Sequence, residues 1–287
     1  MNRNRYMHWQ IAYRISRNEP FHMVENPEYA WAADPFLVEY RRRIYLFAEL
    51  FLYRSERNGV IGYCIYENGR FGKWHVSMDE HWHLSYPNVY VRDGELYMCP
   101  ESWQKNEVGI YRLAEFPDKW EQTDCLFRNV RYVDTTFLEQ GGERYIFTFA
   151  PVFSGDEGQL LLVREQADGS KTEPVVITDD ISVARPGGNI LRLNKKLYRV
   201  SQNCRHSYGA GLVFSEIDSL APVYKEHVVK RIFPKDLRIE TRKKILGLHT
   251  YNRLGKIEVI DMKYYAPSFS EYRAAQRTHK VFLNKYT

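Results

Sequence analysis

The chain has 287 residues, of which 44% are hydrophobic and 27% charged, a composition typical of a globular protein that excludes a disordered one. No apolar run approaches the roughly 18 residues of a membrane-spanning helix, so no transmembrane segment is predicted. The net charge of +5 is small and its basic residues are scattered, which argues against nucleic acid as a partner but is compatible with an anionic ligand.

The first 14 residues and the four cysteines indicate a cytoplasmic protein. The segment "MNRNRYMHWQIAYR" has charges but neither an apolar signal core nor a cleavage site of small residues. The cysteines lie far apart, with no CxxC pair and no zinc-ligand spacing, so reduced thiols are expected. Residues 8–14 alternate between apolar and polar side chains and predict a first strand.

A hairpin pattern then recurs five times along the chain. Each copy opens on polar, proline or glycine residues, continues as an apolar strand, and returns after a tight turn as a second strand. Turns such as "RDGE" and "QGGE" are typical of hairpins, because glycine adopts the positive φ that a chain reversal requires. The five copies span residues 33–49, 85–101, 133–150, 185–202 and 247–261.

The spacing of the copies predicts a β-propeller. They begin about 50 residues apart, and hairpin repeats of this length are typical of propeller blades. Further strand-like segments follow the first four hairpins, at residues 59–67, 107–115, 158–166 and 209–217. We therefore predict an all-β protein, with a five-bladed β-propeller over residues 1–267 and a short, non-repeating basic tail over residues 268–287. A β-sandwich with irregular loops is the alternative fold.

The first strand is expected to close the ring of blades. Residues 9–14 precede the first hairpin copy, and the last copy needs a further strand to complete its blade. Pairing of residues 9–14 with residues 256–261 would supply that strand. Closure matters because an open ring would expose a strand edge.

Four motifs together resemble one known family. The motifs are "ADPFL", "HLSYPNVYVRDGELYMCPES", "RPGGNILRLNKKLYRVSQNCRHSYG" and "GLHTYN". Through them the chain is similar to the N-terminal domain family of glucosamine inositolphosphorylceramide transferase, within the superfamily of five-bladed, furanosidase-like glycosidases. The resemblance implies a five-bladed propeller that handles a glycan. In the plant members a separate glycosyltransferase domain is joined to this one, so the resemblance by itself does not carry that activity over.

Residues that open the five inner strands are expected to ring one mouth of the central channel. In the related glycosidases an aspartate opening the first blade is the base or nucleophile, and a second one near the third blade orients substrate or tunes a pKa. The resemblance implies these roles for Asp34 and Asp134. Paired carboxylates suit glycosidic chemistry, because one is ionised while another donates a proton. The five opening residues are Asp34, Tyr86, Asp134, Arg185 and His249.

The fourth blade departs from the glycosidase pattern. Its opening, "RPGGN", has no carboxylate where the related enzymes place a glutamate acid. Glu101, at the end of a second strand, is the candidate acid in its place, and Glu49 occupies the corresponding position in the first blade. The predicted catalytic residues are Asp34, Asp134 and Glu101. The predicted substrate contacts are Tyr86, Arg185, Gln202, Tyr208, His249 and Glu49.

No metal ion and no cofactor are predicted. His81 and His83 in "HWH" share a face if the segment is extended, but no third ligand is evident. No acidic cluster that would demand a cation is apparent near His249. The sequence also contains no Walker or Rossmann pattern, so a nucleotide-phosphate cradle is not expected.

The basic members of the ring favour transfer over hydrolysis. A guanidinium such as that of Arg185 suits a phosphate or a carboxylate, and a phosphate leaving group needs no protein acid. We therefore expect a glycosyltransferase of cell-surface polysaccharide biosynthesis, with a phosphate-activated sugar donor, a glycan acceptor and partners in that assembly pathway. A furanosidase-like glycoside hydrolase and a non-catalytic glycan-binding propeller are the alternatives.

Overall fold

The structure, a computed structural model, describes residues 7–53, 59–152 and 157–265. Its regular elements in these ranges are β-strands, apart from two single turns of 3₁₀-helix at Trp103–Lys105 and Pro234–Asp236. In the described part of the chain no helix has the length and apolar character needed to cross a membrane. The predicted boundary at residue 267 and the tail at residues 268–287 lie outside the described residues.

The strands form five antiparallel sheets, which confirms the predicted five-bladed propeller. The chain starts in blade five with β1 (Met7–Arg14) and β2 (His22–Met23). Blade one follows with β3 (Ala30–Tyr40), β4 (Arg43–Leu52), β5 (Gly59–Glu67), β6 (Arg70–Phe71) and β7 (His75–Met78). Blade two contains β8 (Ser85–Arg92), β9 (Glu95–Glu101), β10 (Glu107–Glu115) and β11 (Lys119–Arg128).

The remaining strands complete blades three, four and five. Blade three contains β12 (Val133–Gln140), β13 (Glu143–Pro151), β14 (Gly158–Glu165) and β15 (Val175–Thr178). Blade four contains β16 (Leu191–Leu193), β17 (Lys196–Asn203), β18 (Gly211–Ser219) and β19 (Lys225–Ile232). The described part of the chain returns to blade five with β20 (Ile245–Gly247), β21 (Tyr251–Leu254) and β22 (Ile257–Tyr265).

The first strand closes the ring as predicted. β1 pairs with β22 along its whole length, with Trp9 opposite Lys263 and Arg14 opposite Glu258. The pairing lies two residues further along the last strand than expected. Apolar side chains fill the space between neighbouring blades, so each sheet packs face to face on the next. Closure therefore places residues from both ends of the chain beside one another at the channel.

The inner strands of the first three blades share a bulge at the channel mouth. The register breaks between Ala33 and Phe36 in β3, and at the equivalent points of β8 and β12. In each bulge one residue has a positive φ, at 53° for Asp34, 42° for Tyr86 and 51° for Asp134. Left-handed backbone is uncommon outside glycine, and a bulge re-aims the side chain it carries. The three side chains are therefore turned toward the channel by local backbone geometry.

The two glycines of "RPGGN" serve close packing between blades four and five. A Cβ on Gly188 would lie 2.0 Å from the carbonyl oxygen of Tyr251, and one on Gly187 would lie 2.8 Å from that of His249. Gly188 also has a φ of +136°, which disfavours any side chain. The inner strand of blade four can approach its neighbour because these positions carry no side chain.

Candidate active site

Asp34 and His249 meet at the channel mouth, as their places at the heads of inner strands predict. Asp34 Oδ1 accepts a hydrogen bond from Thr250 Oγ1 at 2.8 Å and lies 3.7 Å from His249 Nε2. Asp34 Oδ2 accepts the backbone N–H of Tyr86 at 3.2 Å. Asp34 therefore faces three neighbours from blades two and five, and its position depends on the assembled ring.

Asp261 is the central partner in this group, and the sequence analysis missed it. Its carboxylate accepts the backbone N–H groups of Asp34, His249 and Thr250 at 2.9, 3.0 and 2.9 Å. Asp261 Oδ2 also lies 2.5 Å from His249 Nδ1. The side chain is fully buried in the middle of β22. The available signal was Asp261 between the apolar residues Ile260 and Met262, because aspartate is rarely buried without partners.

The charges of this group are set by burial and by one another. Burial raises the pKa of Asp34 to about 6, against the lowering effect of His249 and with a further rise from Asp261 and Asp134. Burial also disfavours charge on His249, but the carboxylates of Asp261 and Asp34 outweigh it and raise the pKa of the imidazole. At neutral pH Asp34 is therefore largely ionised, as a general base requires.

Asp134, Arg185, Gln202 and Glu101 form a second group at the same mouth. Arg185 Nε lies 2.5 Å from Asp134 Oδ2, and Gln202 Nε2 donates to the same oxygen at 3.2 Å. The carboxyl of Glu101 shares a hydrogen bond with Asp134. Burial and the charge on Asp134 hold the pKa of Glu101 well above its usual range, although Arg185 opposes the rise. The site therefore favours the protonated form of Glu101, which is the form that a general acid requires.

Glu49 and His83 form a buried pair next to these groups. His83 Nδ1 accepts the backbone N–H of Gly59 at 3.0 Å, so the neutral ring carries its proton on Nε2, 3.5 Å from Glu49 Oε1. Burial lowers the pKa of His83 to about 4. Burial, Asp34 and Glu101 raise the pKa of Glu49 well above its usual range. His83 is therefore neutral at neutral pH, and the site favours the neutral form of Glu49 as well.

Replacing Glu49 by Gln is expected to stabilise the protein above neutral pH. A carboxyl whose pKa is raised on folding contributes most to the free energy of unfolding at pH values below its pKa in the unfolded state. This contribution is lost as the pH rises through its pKa in the folded state. Urea unfolding of Glu49→Gln should show a higher free energy of unfolding than wild type at pH 8, because the amide has no charged form to bury. At pH 4 we expect little change. The exposed Glu95→Gln is the control, and an equal effect at both pH values would contradict a buried, proton-binding Glu49.

Two aromatic rings cover the cationic side of the mouth. Trp9 stacks on His249 with ring centroids 3.8 Å apart and an angle of 16° between the planes. The ring of Tyr208 packs edge-on to His249 at 5.3 Å and lies 5.0 Å from the Arg185 guanidinium carbon. Lys263 donates to Ser207 Oγ at 3.2 Å and to the Tyr208 carbonyl oxygen, which ties this loop to β22. Trp9 and Lys263 were not predicted as site residues.

Tyr86 has a different role from the substrate contact predicted for it. Its side chain has no exposed surface. Its hydroxyl lies 2.9 Å from Thr136 Oγ1, accepts the Gly188 N–H at 2.7 Å and donates to the Gly188 carbonyl at 3.3 Å. These bonds cross from blade two to blades three and four. Tyr86 therefore fills the channel below the mouth and is not free to bind a sugar.

Asp34, His249 and Asp261 are also a candidate cation site. One ligand atom from each lies within 4.8 Å of the others. The expectation of no acidic cluster near His249 is therefore corrected, since Asp34 and Asp261 both lie beside it. A cation would have to replace the contact between His249 Nδ1 and Asp261 Oδ2, and Asp261 already accepts three backbone N–H groups. The side chains that could bind a cation therefore already bind one another or the backbone. The predicted absence of a metal stays a prediction. His81 and His83 lie in a loop instead of an extended strand.

Comparison with known sequences identifies relatives over most of the chain. The family model described as glucosamine inositolphosphorylceramide transferase 1, N-terminal, matches residues 2–259. The protein named glucosamine inositolphosphorylceramide transferase 1 from Oryza sativa subsp. indica is 29% identical over 232 residues, which are 77% of this chain and 30% of the relative. The Arabidopsis thaliana protein of that name is 30% identical over 200 residues, 66% of this chain and 26% of the relative. The chain spans less than a third of the length of these relatives.

Solved structures share the fold. A GH62 hydrolase in complex with xylotriose superposes with a TM-score of 0.60 at 12% identity and covers 83% of each chain. The catalytic domain of a Coprinopsis cinerea GH62 α-L-arabinofuranosidase gives a TM-score of 0.59 at 11% identity, over 85% of this chain and 95% of its own. These likenesses support the propeller architecture, while the sequence match extends to the family. The chain belongs to the family of the N-terminal domain of glucosamine inositolphosphorylceramide transferase 1.

Proposed function

We propose that this chain is a carbohydrate-active enzyme that transfers a glycosyl group at the mouth of the propeller. The observation that carries the proposal is the pair of carboxyls at the channel mouth, Asp34 held by Thr250 and His249 and Glu101 hydrogen-bonded to Asp134. The pKa of Asp34 is raised to about 6 and that of Glu101 is raised well above its usual range, so the environment favours a proton on Glu101 and charge on Asp34. Two titratable groups held in opposite states are the arrangement that glycosidic chemistry uses. The name of the plant relatives supports a transferase, and the cellotriose and xylotriose complexes of the structural neighbours support a sugar as the ligand.

Each polar residue has a part in the proposed reaction. Asp34 takes the proton of the acceptor hydroxyl. At the same time the oxygen of that hydroxyl forms a bond to the anomeric carbon of the donor sugar. Glu101 donates its proton to the leaving oxygen as the bond between that oxygen and the anomeric carbon breaks. Asp261 and His249 hold Asp34 in position, and Asp134 with Arg185 does the same for Glu101. The next turnover needs the proton returned from Asp34 to Glu101 through solvent.

The placement of Arg185 changes the expected donor. Its guanidinium is already paired with Asp134, and four more carboxyls lie at or beside the mouth. A phosphate group would compete with the Asp134 carboxylate for this guanidinium and would lie near the Asp34 carboxylate, so the phosphate-activated donor predicted from the sequence is not retained in the proposal. A glycoside with a neutral leaving group fits better, because Glu101 supplies the proton that such a group requires.

Hydrolysis is the second candidate. In hydrolysis the same acid and base would act on the same glycoside, with water in place of the acceptor hydroxyl. The two reactions differ in their products when a glycan acceptor is present, because transfer yields an elongated or newly linked glycan and hydrolysis a free sugar. Chromatography of the products with and without acceptor therefore separates them.

The pH dependence of turnover tests the assignment of acid and base. We expect a bell-shaped profile, whose acidic limb lies near pH 6 because Asp34 loses its charge there. The alkaline limb marks the loss of the Glu101 proton. Glu101→Gln should remove the alkaline limb and slow turnover of alkyl glycosides by about 10²–10⁴-fold, the usual contribution of a general acid. A p-nitrophenyl glycoside, whose leaving group needs no proton, should be much less affected.

The opposite pattern would remove Glu101 from the reaction. If Glu101→Gln retained the alkaline limb, or slowed alkyl and p-nitrophenyl glycosides equally, the acid would have to be another group. Glu95→Gln is again the matched control, since Glu95 lies at the far end of the strand that carries Glu101 and is exposed.

A further inference from the structure

The hairpin of blade one extends beyond the catalytic group. β3 begins at Ala30 and β4 ends at Leu52, whereas Asp34 lies in the bulge further along β3. Ala33 is opposite Glu49 in the paired strand. Trp31 is opposite Phe51, two residues nearer to the open end of the hairpin. The open end of this hairpin therefore rises past Asp34 at the mouth of the channel.

Its two faces differ in what they contact. Alternate residues of a strand share a face, so Phe51 lies on the same face as Glu49, and Trp31 on the same face as Ala33. The other face carries Ala30, Ala32 and Leu50, which belong to the core shared with blade five. The face with Trp31 and Phe51 is consequently turned toward blade two and toward the buried pair of Glu49 and His83.

Trp31, Phe51 and His83 form a continuous aromatic wall on that face. The rings of Trp31 and Phe51 are parallel within 1°, with centroids 4.5 Å apart, and Phe51 lies 6.3 Å from the His83 ring. Trp31 and Phe51 are half-buried, and so retain surface that can contact a ligand. His83 is fixed by the Gly59 N–H and by contact with Gly59 itself, where a Cβ would lie 2.6 Å from the imidazole.

The wall has the chemistry of a sugar subsite. A pyranose presents a face of C–H groups, which packs on aromatic rings, and an edge of hydroxyls, which need polar partners. Here the rings lie at the outer end and the Glu49 carboxyl at the inner end, next to the Nε2–H of His83. Two residues along a strand span about 7 Å, close to the length of one sugar ring. A glycan with one ring at Asp34 would therefore place its neighbour on the wall.

We propose that Trp31, Phe51 and His83 form a subsite for a second sugar ring, adjoining the ring on which Asp34 and Glu101 act. The inference rests on the proposed function and adds the substrate class, a glycan of at least two linked neutral sugars. A single sugar would bind only over the carboxyl groups, so the wall makes the enzyme select oligosaccharides over monosaccharides.

Binding of xylotriose and cellotriose, each compared with its monosaccharide, tests the subsite by calorimetry or tryptophan fluorescence. The wild-type protein should bind at least one trisaccharide tenfold or more tightly than the matching monosaccharide. Trp31→Ala should bring this ratio close to one, and Trp31→Phe, which keeps a ring, should give an intermediate ratio. Tyr97→Ala removes one ring of the Tyr90 and Tyr97 stack in the β8 and β9 hairpin, near its turn and away from Asp34, and should leave the ratio unchanged.

Three outcomes would overturn the subsite: no binding of any of these saccharides, no preference for the trisaccharides, or the same ratio in Trp31→Ala as in wild type. Thermal melting of each variant shows whether it is folded. If Trp31→Ala is unfolded, the binding ratio of Trp31→Phe decides whether the subsite exists. Failure of the proposed function has a different signature. A trisaccharide preference that depends on Trp31, in a protein without any Asp34-dependent turnover, would keep the subsite and remove the reaction.

Discussion

Replacement of Asp34 by Asn is expected to reduce glycosyl transfer by about 10²–10⁴-fold while the propeller stays folded. The amide cannot accept the proton of an acceptor hydroxyl and carries no charge. The fold should tolerate it, because asparagine adopts the left-handed backbone that Asp34 has at a φ of 53°. Its carbonyl can accept the Tyr86 N–H, and its NH₂ can donate to Thr250 Oγ1 in place of the bond that Asp34 accepts.

The measurement is a turnover assay beside a thermal melt of the same preparation. Asp93→Asn is the matched control, since Asp93 also has a positive φ, of 52°, but lies exposed in the turn of the β8 and β9 hairpin. We expect that control to be neutral in both experiments. An Asp34→Asn protein with wild-type turnover would remove Asp34 from the reaction. A loss of activity that followed a lowered melting temperature would make it a structural residue.

Replacement of Arg185 by Met should cost about 3–5 kcal/mol of unfolding free energy. Arg185 is the close cationic partner of Asp134, at 2.5 Å, and the Asp134 side chain is only 4% exposed. Methionine is apolar and unbranched, so it fills much of the space but leaves a buried carboxylate without its counter-charge. Urea unfolding at neutral pH measures the loss.

A second substitution shows whether the unpaired charge is the cause. Asp134→Asn combined with Arg185→Met should recover most of the loss, because neither partner is then charged. Arg164→Met is the control for the deletion of an ion pair as such. Arg164 contacts Glu143 at 2.7 Å with about a third of its side chain exposed, and surface pairs are worth up to about 1 kcal/mol. If the double variant were as unstable as Arg185→Met alone, loss of packing and not of charge would explain the effect.

Much of the fold could be predicted because its signals are local. Each blade is a set of short strands joined by tight turns, and turn residues such as Gly94 and Gly142 mark them in the sequence. The places of Asp34 and His249 at the channel mouth followed from the repeat, since equivalent positions in successive blades lie around one axis. Glu101 was also placed near the site by its position at the end of a second strand.

The chemistry of the site depends on contacts that no local pattern encodes. Asp261 meets Asp34 across 227 residues of chain, and the contact exists only because β1 and β22 close the ring in one particular register. Trp9 reaches His249 for the same reason. The proton on Glu101 likewise depends on the hydrogen bond and charge of Asp134. The sequence could therefore indicate that Asp34, Asp134, Glu49 and Glu101 gather, but not that Asp261 joins them or which of these carboxyls are ionised.

Closure of the ring by the first and last strands has a consequence for synthesis on the ribosome. The hydrogen bonds between Arg14 and Glu258 join residues 244 positions apart. At translation rates of about 5–20 residues per second, β1 waits about 12–50 s before its partner strand is made. During that interval the nascent chain presents an unpaired strand edge, while blades one to four can already pack. Yield of the protein in a cell should accordingly depend on chaperones that shield β1 until β22 has been made.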